Sequence, residues 1–172
     1  MTSTSFDLLG LGVVTVDDLL YVDVYPPAER KVRVNARERQ VGGLTGIALV
    51  AASRLGARCA YAGVMGQDAL SRFVRDQLTI EGVDLARSPT RADERALHAT
   101  VIVDETNHTR TIFYELGGHA GAATDHPPAD FIRASKVLFV DRYGMEGMIR
   151  AARIARDAGR PVVADFESGT PG

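Results

Sequence analysis

Two adjacent glycines stand directly before an apolar, alanine-rich run in Val41–Ala57, VGGLTGIALVAASRLGA. Flexible backbone ahead of a helix suits anion binding, because the first helical N–H groups lack internal partners and carry partial positive charge. A phosphate cradle is therefore the first chemistry to test. The nucleoside-triphosphate form fails, since no Lys-Ser or Lys-Thr closes the segment. A dinucleotide fingerprint fails as well. LLGLGVVTVD places Gly10 and Gly12 after an apolar strand, but Thr15 occupies the third glycine's position and an extended, β-branched stretch follows.

Three acids offer a different chemistry. Asp17 follows the first apolar strand, Asp141 ends VLFVD and Asp165 nearly ends VVADF. Open parallel sheets bind ligands outside the carboxyl ends of their strands. Taken singly, each acid reads as a loop cap. Three at one edge, facing a glycine-backed helix start, fit a polyhydroxylated ligand: carboxylates accept hydrogen bonds from hydroxyls, and backbone N–H groups donate to others. The four histidines lie far apart without ligand spacing, so no metal site is expected.

The elements that must position these groups alternate. Phe6–Val14, Ala57–Val64, Lys136–Asp141 and Pro161–Phe166 are apolar runs suited to buried strands. Ile47, Val50, Ala51, Arg54 and Leu55 follow helical spacing up to Gly56, and Asp68 is placed to cap a second helix with Leu70, Phe73, Val74 and Leu78 on one stripe. A third helix carries Met145, Met148, Ile149, Ala152 and Ala155 and stops at Gly159. This order predicts an α/β fold with a parallel sheet. Two segments depart from it. Lys31–Arg39 alternates strictly, and Ala96–Leu116 reads as two alternating strands around the turn DETNH. Alternation implies one dry and one wet face, so a small antiparallel appendage is expected, a lid or an edge-covering flap, roughly over residues 18–40 and 96–116.

A chain of 172 residues, 45% apolar with a formal charge of -2, can bury a core without disulfides and gives no reason to expect nucleic acid or an acidic membrane as partner. The lone Cys59 sits in an apolar stretch and reads as a buried structural thiol, consistent with a cytoplasmic setting. No apolar run reaches membrane-spanning length, and the first ten residues lack the pattern of an export signal.

The order of these features resembles the ribokinase-type, or PfkB, family of carbohydrate kinases. GLGVVTVDDLLYVDVYP is similar to the family's opening strand, VGGLTGIALVAASRLGARCAYAGVMGQDALSRFVRDQLTIEGVD to its first signature with Gly63, Gly66 and Asp68, and GGHAGA (Gly117–Ala122) to the return from the lid. The resemblance runs from about Phe6 to Phe166. It implies a three-layer αβα core with a β lid, hinged at the paired glycines. Asp17, Gly42, Gly43 and Asp141 are then implied as sugar contacts. Thr15 stands where many members carry a sugar-touching asparagine, as does Ile47, which cannot hydrogen-bond. The apolar Ile47 departs from ribose-type recognition, so a hexose or ketose is favoured, acid-substituted hexoses included. Arg110 on a lid strand and Arg142 after the site acid are candidates to fork a phosphate or sulfonate substituent, the alternative for each being a solvated surface arginine.

The resemblance also implies ATP and Mg²⁺ as co-reactants, and a homodimer through the lid strands. The family's general base lies in a second half with a GAGD-type anion hole, and no GxGD element occurs in this sequence. The expectation is therefore a sugar-binding and lid half, inactive alone, with no catalytic residue present. The alternative is a non-catalytic sugar-binding or regulatory module.

Overall fold

A computed structural model of the protein describes residues 6–115, 117 and 121–167. A parallel sheet forms the body, with strand order β4-β1-β7-β8. Its strands are β1 (Phe6–Leu11), β4 (Cys59–Tyr61), β7 (Ser135–Asp141) and β8 (Val162–Asp165). Every pairing among them is parallel, with β1 central between β4 and β7. One face is covered by α3 (Ala129–Arg133) and α4 (Met145–Asp157), where Leu9, Leu11, Leu138, Val140, Met148 and Ala151 form a continuous buried cluster. The other is covered by α1 (Leu44–Arg54) and α2 (Ala69–Ile80), with Leu49, Tyr61, Met65, Val74 and Leu78 in a second cluster.

The lid is a second sheet of order β3-β2-β5-β6, built from β2 (Thr15–Val22), β3 (Ala36–Gly42), β5 (Leu97–Asp104) and β6 (Thr109–Glu115). It is mixed, not purely antiparallel as the alternation implied. β2 pairs antiparallel with β3, and β5 with β6, but β2 and β5 run parallel across their whole length. The reason is the connection. Between β3 and β5 the chain passes through α1, β4 and α2, and a crossover of that length lets the returning strand enter in the same direction as β2.

Three local expectations change. The first strand ends at Leu11, and Gly12–Val14 forms a link into the lid. The alternating Lys31–Arg39 segment becomes strand only from Ala36, where pairing with Tyr21 begins; Ala36–Gln40 are exposed because β3 is an edge strand of the lid. In α1 the buried residues are Thr45, Gly46 and Leu49, while Ile47 and Leu55 are 52% and 89% exposed. Thr45 and Leu49 lie against Gly10 of β1, so the helix approaches the sheet where a strand residue lacks a side chain, and the larger aliphatics are turned outward. Asp68 caps α2 as expected, accepting from the N–H groups of Leu70 and Ser71. Part of the GGHAGA return segment lies outside the described residues.

Candidate functional site

The site forms where the lid leaves the body. β1 delivers the chain through Gly12–Val14 into β2, and β3 returns it at Gly42 into α1. Thr15 pairs directly with Gly42 and Val16 with Val41. Val16 and Val41 point into the second core cluster, so the strand period of two turns Thr15, Asp17 and Gly42 to the opposite face of the lid. There the Thr15 hydroxyl donates to Asp17 Oδ1 at 2.6 Å. A Cβ on Gly42 would fall on the Asp17 carboxylate and the Thr15 hydroxyl. The glycine therefore leaves the carboxylate lying against bare backbone, open to a ligand on its other side.

Gly43 turns the chain from lid into helix. It adopts φ +83°, the region in which side chains are strained, and a Cβ there would sit 2.6 Å from the Val13 carbonyl oxygen. These two elements, the β2 acid and the double-glycine bend, are thus immediate neighbours.

The other acids are placed differently. Asp141 ends β7 beneath the bend and is fully buried. Its Oδ2 accepts from the Val13 N–H and the Thr45 hydroxyl, both at 2.7 Å, and its Oδ1 accepts from the Tyr143 N–H at 2.9 Å. Burial pushes its carboxyl above the usual range, against the pull of these hydrogen bonds. With its side chain fully buried beneath the bend, Asp141 offers no exposed oxygen for a direct ligand contact in this arrangement. Asp165 pairs in register with Asp141 but is exposed at the sheet edge.

The two arginines separate as well. One row across the lid runs Gln40, Asp17, Ala99, Tyr114. Arg142, in the loop after β7, stacks on the Tyr143 ring at 5.3 Å, and the Tyr143 hydroxyl beside it, with smaller contributions from Glu167 and Tyr114, raises its pKa. Arg110 sits in the row of Val103 and Tyr21, four residues along the strand from Asp17 or about 13 Å. It lines a shallow hollow of about 400 Å³ with Asp104 and His108 near the lid tip. A larger cavity of about 540 Å³, lined by Val64, Gly121–Thr124 and Gly144–Gly147, opens beside the carboxyl ends of β4 and β7, and Asp17 does not line it.

Sequence reasoning missed Thr45 and Tyr61. The Tyr61 hydroxyl, fully buried, donates to the Gly12 carbonyl at 2.9 Å, and burial pushes the phenol's pKa well up. A hydroxyl in the first turn of an otherwise apolar helix was the available signal for Thr45.

Residues 11–168 match the pfkB family carbohydrate kinase pattern. The chain belongs to the PfkB carbohydrate kinase family. A nucleoside kinase of Methanothermobacter thermautotrophicus is 23% identical over 159 residues, covering 92% of this chain and 51% of that protein. The ketohexokinase of Mus musculus is 26% identical over 148 residues, covering 86% and 50%. Among solved structures, Arabidopsis thaliana ribokinase complexed with ribose and ATP superposes with a TM-score of 0.75 at 18% identity, over 96% of this chain and 54% of that one. The fold is ribokinase-like, and the chain spans about half the length of the PfkB relatives it matches. No helix among the described residues is long and apolar enough to cross a membrane.

Proposed function

We propose that this chain is the sugar-binding and lid portion of a kinase that transfers a phosphoryl group from ATP to a sugar hydroxyl. One observation carries the reading: the Thr15–Asp17 pair lies against Gly42 at the bend that joins lid to body. Asp17 accepts from sugar hydroxyls, held in orientation by the Thr15 hydroxyl, and the Gly42–Gly43 backbone admits the ring closely enough to share it. Arg142, in the loop directly after Asp141, reads an acidic substituent; Arg110 would reach one only on a longer ligand.

ATP and Mg²⁺ enter this reading through the family. Among the described residues no group of three or more His, Cys, Asp or Glu is placed to hold a metal, and Asp141 already accepts from Thr45 in the first turn of α1. The sequence holds no GxGD element, so the proposal is that this chain alone binds sugar without transferring phosphate. What the chain's own groups supply is substrate binding, and exclusion of water if the lid closes over it. A dimer through the lid strands and a cytoplasmic setting complete the proposal.

The test is calorimetric titration and thermal shift with D-fructose, D-ribose and their acid-substituted relatives, followed by incubation with ATP and Mg²⁺. Binding without phosphorylation is the expected result. Absence of binding by every sugar, or turnover by the chain alone, overturns it.

A further inference from the structure

Asp141 is a buried carboxylate for which no cationic partner exists among the described residues; donors alone surround it. Those donors come from three places in the chain: the β1–β2 link, the first turn of α1, and the loop after β7. α1 itself begins at Gly43 with no side-chain cap and no acid in its first turn. A helix start of that kind favours a nearby anion. Asp141 supplies one from a strand 96 residues later than Thr45. The anion-binding capacity that two glycines ahead of a helix imply is thus taken up internally.

The consequences run outward along two covalent paths. Val13 is held through both of its backbone groups, its N–H by Asp141 and its carbonyl by the Gly46 N–H at 3.3 Å, and Thr15 and Asp17 follow directly. Thr45 is held two residues beyond Gly43. Gly12 makes room for the arrangement, since a Cβ there would fall on both the Asp141 carboxylate and the Thr45 hydroxyl.

We propose that Asp141 is a positioning residue: it clamps Val13 and Thr45 so that the Gly42–Gly43 bend meets the Thr15–Asp17 pair, and it does not itself touch the ligand. Its effect on binding rests on the sugar-binding reading above; its clamp geometry does not. Asparagine cannot substitute, because it keeps one acceptor oxygen and would set its NH₂ against one of the donors.

Two measurements on the full chain separate the questions. Amide proton shifts of Val13 and Tyr143 are compared in wild type, Asp141→Asn and Thr45→Val. Affinities for D-fructose and D-ribose are measured for those proteins and the double variant. The clamp predicts that in Asp141→Asn the amide set against the new NH₂, Val13 or Tyr143, shifts upfield, while the one that keeps the oxygen does not. It also predicts that each single change weakens binding at least about tenfold, with the double variant no worse than the weaker single, because both cut one link. Unchanged Val13 and Tyr143 signals, or losses that multiply in the double variant, overturn the proposal. If Asp141→Asn does not fold, Thr45→Ser is set against Thr45→Val: rescue by serine supports the clamp and equal loss refutes it. If wild type binds neither sugar, the sugar reading fails while the amide signals still decide the clamp.

Discussion

Thr15 and Asp17 share one face of β2, and the hydroxyl of the first donates to the carboxylate of the second at 2.6 Å. The bond fixes one carboxylate oxygen and leaves the other beside Gly42. A ligand hydroxyl donating to that oxygen makes a hydrogen bond to a charged acceptor. Asp17→Ala should therefore weaken sugar binding by about 1.5–3 kcal/mol, with the melting temperature of the free chain little changed. Calorimetric titration checks it, and equal affinity in the variant removes Asp17 from the site.

The paired glycines should fail in different ways. Gly43→Ala puts a side chain at φ +83° and against the Val13 carbonyl, so the cost falls on folding, about 1–3 kcal/mol in urea denaturation. Gly42→Ala carries no positive φ, and its Cβ meets the flexible Asp17 and Thr15 side chains. The expected outcome there is a nearly intact melt with sugar affinity lost. Equal destabilisation by both would refute the division.

Much of this was legible in the sequence, and the boundary has a physical cause. Strand and helix runs report burial against a local period, so the body's parallel order and the Asp68 cap could be read directly. What could not be read depends on neighbours distant in sequence. The outward turn of Ile47 and Leu55 follows from Gly10 lying under Thr45 and Leu49. The parallel β2–β5 pairing is set by where a long crossover returns, and alternation looks the same in either direction. The separation of Arg110 from Asp17 is a matter of register, which four residues of strand decide.

Tyr61 offers a test of the floor of the site. Its hydroxyl and the Gly12 carbonyl are buried partners at 2.9 Å. Tyr61→Phe keeps the ring packing and leaves the carbonyl without its donor. Destabilisation of about 1–3 kcal/mol is expected, and a variant as stable as wild type would show that another donor reaches Gly12.

On the opposite face of the lid, Asp18 joins three strands. Arg39 donates to it through Nε at 2.6 Å and Nη2 at 2.7 Å, and His98 Nε2 lies 2.8 Å from Oδ2. The Arg39 guanidinium also sits 5.9 Å from the Phe73 ring of α2, tying the lid base to the body. Arg39 first, and His98 after it, hold the Asp18 carboxyl down to about 2. A carboxyl whose folded value lies below its unfolded value of about 3.9 stabilises the fold above that pH, and the contribution is lost as pH falls toward the folded value. Asp18→Asn should thus melt below wild type at pH 6, with the gap closing between about pH 4 and 2. Parallel melting curves across that window would contradict it.

The outer flank of α1 and the free edge of β8 each leave large apolar side chains exposed. Leu55 is 89% exposed and Ile47 52%, while Val163 and Phe166 are 50% and 53% exposed. Among the described residues β8 pairs only with β7, so its other side presents unpaired N–H and C=O groups beside apolar side chains. Such an edge recruits other strands unless charge or cover prevents it. The isolated chain should therefore self-associate in sedimentation velocity as its concentration rises. Leu55→Glu with Val163→Lys should shift it toward monomer without lowering its melting temperature, because neither side chain is buried. A wild-type chain that sediments as a concentration-independent monomer with a cooperative melt would show that this edge is tolerated as it stands.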